Sequence, residues 1–164
     1  MREYLQEENV WIGASAASRD GVLGSLVDLL DGCGCLRNAA TFYEQLLGRE
    51  EESTTAVGGA VAIPHAHGIS VRRTGIAAIT LRDGVNWGAP DGMPVRLAFL
   101  VAAEGEGEDH LALLSRIVTV LMRRHAANAL IRAESAEAFL AILTEEARRP
   151  WRAPHCVLIE RDDL

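Results

Sequence analysis

Three features of the sequence predict an α/β layered domain. Two nearly continuous apolar runs, at 75–81 and 96–102, have the composition of strands covered on both faces. Segments with apolar residues at helical spacing precede and follow them. The 164 residues, 49% of them hydrophobic, suffice for one domain with a core and argue against global disorder.

The elements follow in order. Alternating apolar residues at 9–14 predict a short strand. Leu23, Leu26, Val27 and Leu30 share one face of a helix over 22–30, which Asp31-Gly32 should stop. Asn38 is placed to cap a second helix running to about Leu47, with Phe42 and Leu46 inward and Gly48 as its end. Strands are predicted at 56–63, 75–81 and 96–102. The turn-rich stretch DGVNWGAPDGMP separates the last two. Asp109 is expected to cap a long helix over 110–124, with Leu113, Leu114, Ile117, Val120 and Leu121 on its apolar side. Ser135 should cap another, with Glu137 in its first turn and Phe139, Leu140 and Leu143 inward, ending before Pro150. Residues 157–159 read as a short edge strand.

Charge and composition narrow the function. The net charge of −7, from 23 acidic and 16 basic side chains, argues against a general nucleic-acid binder, which needs a basic face. A basic protein partner remains compatible with it. The N-terminus MREYLQEENV lacks the apolar core of a signal peptide, and no apolar run reaches membrane-spanning length. A soluble, cytoplasmic protein without membrane insertion is expected. Cys33, Cys35 and Cys156 are odd in number and do not form a zinc set, so they read as buried or idle thiols. Phosphate loops, dinucleotide fingerprints and nucleophile elbows are absent from the sequence. Glu50-Glu51-Glu52 is most simply a solvated charge run.

The informative stretch is STTAVGGAVAIPHAHG, at 53–68. An apolar strand runs into Pro64 and then His65. Proline cannot donate to a sheet ladder, so pairing should end where His65 emerges, turning its ring toward a cleft. A hydrogen-bonded, idle histidine at a strand end is the alternative. His65-x-His67 on an extended chain would put both rings on one face, which opens a further alternative: a zinc-dependent hydrolase. That reading requires a third ligand, which the sequence does not select.

Gly48-Arg49-Glu50, then Ser53-Thr54, then GGAVAIPHA, together resemble the signature of the fructose/mannitol-type enzyme IIA domains of the bacterial sugar phosphotransferase system. The nitrogen-regulatory IIA proteins belong to the same family. ITLRDGVNWGAPDGMPVRLAFLVAAEGEGEDHLALLSRI is similar to the family's next strand, turn, strand and helix. The resemblance covers residues 5–146 of a single domain spanning 1–164, leaving 147–164 as an extension. It implies a phosphotransferase/anion-transport-protein-like fold, with a mixed β-sheet flanked by helices on both faces.

It also implies chemistry. His65 would accept a phosphoryl group from the histidine-containing phosphocarrier protein. It would pass the group to a cysteine or histidine of a sugar-specific IIB domain. In the nitrogen-related branch, phosphorylation would instead set which regulatory target is bound. Arg49 maps onto the arginine of the family's RE motif, and His110 onto a second histidine opening the helix after the third strand. A neutral imidazole, with an ordinary pKa of about 6.5, suits phosphoryl acceptance at neutral pH. Arg49 would clamp phosphate oxygens. No ATP, metal or other cofactor is implied. A stand-alone IIA protein is expected, because the chain shows no IIB or transporter segment. His67 departs from the pattern, since relatives often carry lysine, arginine or a small residue there.

Overall fold

The computed structural model describes residues 1–105 and 108–150. A short 3-10 turn, Glu7–Asn9, leads into strand β1, Val10–Ala14. Helices α1, Arg19–Gly32, and α2, Ala39–Glu52, follow. Three short strands come next: β2, Ala56–Gly58; β3, Val61–Ala62; and β4, His65–His67. The long strands are β5, Gly75–Val85, and β6, Val95–Ala103. Helices α3, Glu108–Leu121, α4, Arg124–Arg132, and α5, Ala136–Arg148, complete the domain.

The sheet is mixed, in the order β1-β5-β6-β3-β2, with β4 also on β6. The central β5–β6 pair is antiparallel, while β1 runs parallel to β5, and β3 and β4 run parallel to β6. Both long strands are buried along most of their length, as continuous apolar runs require when helices cover two faces. On one face, Leu23, Leu26 and Leu30 of α1 and Phe42 and Leu46 of α2 pack on Ala77, Ile79, Ala98 and Leu100. On the other, Ile117 of α3, Leu130 of α4 and Phe139 of α5 pack on Ile76, Phe99 and Val101. Phe99 and Phe139 stack with ring centroids 5.7 Å apart, worth about 0.5–1.5 kcal/mol beyond their area burial. The capping expectations hold at Asn38 and Ser135, and Ser18 adds a third cap that was not anticipated. The side chains of Ser18, Asn38 and Ser135 accept from the amides of Gly21, Thr41 and Ala138.

Several expectations are corrected. Residues 56–63 are not one strand. Gly58, Gly59 and Ala60 have φ of 90°, 64° and 66°, so the chain folds back and β2 pairs antiparallel with β3. Asp91 accepts from the Gly59 amide at 2.9 Å and from Met93 at 3.1 Å, pinning this turn to the loop after β5. Those two amides hold its carboxyl below the usual range. Pro64 does not end pairing. Ala62 faces Ala98 and, three positions on, His65 faces Val101, so β3 and β4 keep one register along β6. Proline lacks only a donor, and its carbonyl accepts from the Val101 amide at 3.0 Å.

Gly48 does not stop α2, which continues to Glu52 and places Arg49 in its last turn. A glycine inside a helix costs about 1 kcal/mol, and the hydrogen bonds that Glu50 accepts from Thr55 help to offset that. Glu50 is therefore not part of a solvated run: it is 4% exposed. Asp109 lies inside the first turn of α3 rather than capping it. The helix expected over 110–124 breaks after Leu121, and a separate α4 begins at Arg124. The strand expected at 157–159 lies outside the described residues.

Candidate functional site

His65 owes its position to strand alternation. Ala66 packs into the core beneath α1 and α2. Its neighbours His65 and His67 therefore face the opposite side, where α3 lies. His110, in the first turn of α3, meets them there. The His65 and His110 ring centroids are 6.4 Å apart, and those of His67 and His110 are 5.6 Å apart. The His65 and His110 rings are thus neighbours, spaced too widely for a direct hydrogen bond.

The tautomer of His65 follows from its backbone. Its Nδ1 lies 2.8 Å from the carbonyl oxygen of Ile63. A carbonyl can only accept, so Nδ1 carries the proton and donates it, leaving Nε2 with its lone pair. Ile63 is held in turn by its own amide. The Ile63 amide donates to the Thr55 carbonyl at 3.0 Å. The Thr55 amide donates to Glu50 Oε2 at 3.0 Å, and the Thr55 hydroxyl donates to Glu50 Oε1. The buried Glu50 carboxylate thus anchors the strand that orients His65. Sequence reading assigned Glu50 to the surface; its signal was its place beside Arg49, five residues before Thr55.

Arg49 and His65 line the same cleft of about 170 Å³, together with Thr54, Thr55, Ile63 and Leu114. Arg49 Nη1 donates to the Ser53 carbonyl and to Ser53 Oγ, both at 3.1 Å, which fixes the guanidinium at the end of α2. His110 Nδ1 is buried without a hydrogen-bond partner. Burial, reinforced by His67 and then His65, lowers the His110 pKa, so its ring is neutral at neutral pH. Among the described residues, no three His, Cys, Asp or Glu side chains are arranged to hold a metal ion. The other sequence candidate, His125, opens α4 and contacts Glu146 at 3.2 Å, away from this cluster. His155 lies outside the described residues.

A mixed sheet between two helical layers, carrying a histidine cluster at one strand end, is the fold of the phosphotransferase-system IIA proteins. It is shared with nitrogen regulatory protein IIA-Ntr from Neisseria meningitidis, at a TM-score of 0.80 and 29% identity over 86% of this chain and 97% of that one. A complex of enzyme IIAMTL with phosphorylated enzyme IIBMTL from Escherichia coli matches in fold alone, with a TM-score of 0.74 and 22% identity over 86% and 97%. The chain belongs to the family Phosphoenolpyruvate-dependent sugar phosphotransferase system, EIIA 2, which matches residues 3–146. Proteins of this class take part in phosphoryl transfer between proteins.

Two relatives are close in sequence. The PTS system fructose-specific EIIABC component of Bacillus subtilis is 35% identical over 144 residues, 87% of this chain but only 23% of that protein. The PTS system fructose-specific EIIA component of Haloferax volcanii is 35% identical over 131 residues, 79% of this chain and 84% of that protein. Among the described residues, no helix is long and apolar enough to cross a membrane.

Proposed function

We propose that this chain is a phosphocarrier. In this reading Nε2 of His65 accepts a phosphoryl group from the histidine-containing phosphocarrier protein and passes it to a sugar-specific IIB domain. The observation that carries the proposal is the Nδ1 contact to the Ile63 carbonyl, which leaves Nε2 as an unprotonated nucleophile. The Nε2 lone pair forms a bond to phosphorus as the bond from phosphorus to the donor's imidazole nitrogen breaks, and that nitrogen keeps the electron pair. The second transfer reverses the roles. Such in-line exchange depends on positioning and charge stabilisation. Arg49, at the rim of the same cleft, supplies donors to the phosphoryl oxygens. His110 adds a ring beside them in the first turn of α3, where the helix dipole favours an anion.

The surroundings suit a protein partner. Leu111, next to His110, is 66% exposed, and Ile69, two positions past His67 at the end of β4, is 88% exposed. Apolar side chains displayed around a polar centre are what a docking partner buries.

The test supplies the purified chain with phosphoenolpyruvate and the general phosphotransferase proteins. One acid-labile, base-stable phosphoryl group on His65 is expected, and His65→Ala should take up none. Full labelling of that variant would overturn the assignment. The likeness to a nitrogen regulatory IIA protein favours a second reading, in which the phosphorylation state selects a regulatory target. A purified fructose-type IIB domain that drains the label within seconds supports sugar uptake. A label stable to IIB, with a partner bound by only one phosphorylation state, supports regulation.

A further inference from the structure

The turn that ends α1 reads Cys33-Gly34-Cys35, and its two free thiols have no part in the phosphocarrier reading. Their sulfurs are 3.1 Å apart. Gly34 makes this possible: its φ of +76° is left-handed, a conformation that glycine adopts without strain, and it curls the chain so that both side chains converge. The turn is held from outside. Asn9 Nδ2 contacts Cys33 Sγ at 3.5 Å, and Arg73 Nη2 donates to the Cys33 carbonyl. Cys35 is buried against Gly75 and Leu30, its thiol pushed up to about 12 by burial and by its contact with Cys33. Cys33 is only half-buried, and both thiols line a cavity of about 260 Å³ with Asn9, Arg73 and Thr74.

We propose that Cys33 and Cys35 form a dithiol that reacts with a low-molecular-weight disulfide of the glutathione type and closes to an intrachain disulfide. Cys33, the accessible member, attacks as its thiolate. Its sulfur bonds to one sulfur of the small disulfide, whose S–S bond breaks to release one small thiolate. Cys35 then gives up its proton to solvent and attacks Cys33 Sγ. The protein S–S bond forms and the second small thiolate leaves. Two protein thiols are oxidised, one small disulfide is reduced to two thiols, and the two protons end on those thiols. Reaching a bond length of about 2.04 Å needs the sulfurs to approach by about 1 Å. The positive charge of Arg73 favours the Cys35 thiolate that the second step requires. A metal is the less suitable occupant, since among the described residues no third ligand joins the pair.

The experiment incubates the full chain and its Cys156→Ser variant with oxidised glutathione. Both should lose two titratable thiols, drop in mass by two hydrogen atoms, and yield a peptide linked between positions 33 and 35. Excess dithiothreitol should restore both thiols. Cys35→Ser should stop at a stable mixed disulfide on Cys33, whereas Cys33→Ser should acquire no glutathione at the turn. A Cys156→Ser chain that keeps both thiols free overturns the proposal. A bond that runs from either cysteine to Cys156 in the native chain does so as well.

Discussion

His65 donates from Nδ1 to the backbone carbonyl of Ile63 across 2.8 Å, two residues back along its own chain. The Ile63 amide donates to the Thr55 carbonyl, and Thr55 is held by the buried Glu50, so the residue that fixes the ring's tautomer is itself fixed. The phosphoryl group should therefore attach at Nε2. Nitrogen-15 correlation spectra of the phosphorylated chain distinguish the two ring positions, and attachment at Nδ1 would contradict the proton placement.

Arg49 and Glu50 are adjacent but should fail differently. Arg49→Ala removes an exposed guanidinium bonded to Ser53 and should cost no more than about 0–1 kcal/mol of stability. It should slow phosphoryl transfer about a hundredfold, as expected for losing one charge-stabilising donor. Glu50→Ala leaves the Thr55 amide and hydroxyl without their acceptor and should cost about 1–3 kcal/mol. Denaturation midpoints and rapid-quench transfer rates on both variants separate the two roles.

His110 should show a pH signature. Its folded pKa lies below the ordinary value, chiefly through burial. The unfolded chain therefore binds a proton first as pH falls, and folding loses stability below about pH 6.5, down through the lowered pKa. Above that range both states are neutral and the penalty is absent. His110→Gln should flatten the decline between about pH 6.5 and 5 in urea titrations. Phosphorylation of His65 should move the His110 titration upward, because a neighbouring dianion favours the charged ring.

His125 is a control for the histidine assignment. It contacts Glu146, which also receives Arg123 and Arg149, in the angle between α4 and α5. His125→Ala should leave phosphoryl transfer unchanged. Glu146→Ala should destabilise the fold by about 1–3 kcal/mol, because the buried end of Arg123 loses an acceptor. Loss of transfer in His125→Ala with its stability intact would mean that the cluster around His65 is incompletely described.

Much of this chain was legible before folding. The long strands announced themselves by apolar runs, and two helix starts by Asn38 and Ser135 at the cap, because both signals are local. Arg49, His65 and His110 were singled out by their motifs, and folding brings the first two to one cleft and the last beside His65. What the local pattern misread was decided by partners outside the segment being read. The β2–β3 turn exists because Asp91 holds the Gly59 amide and three residues accept positive φ. The strand through Pro64 continues because Val101 donates to its carbonyl. Glu50 is buried because Thr55 supplies two donors to it. The sequence by itself determined the layered class and the residue types available for chemistry, since periodicity and composition act within a few turns of chain. Only the tertiary structure decided which histidine is oriented, by which carbonyl, and against which neighbour. The carbonyl is local, but the ring's neighbour and the bracing of Ile63 through Thr55 come from segments that meet only when the domain is assembled.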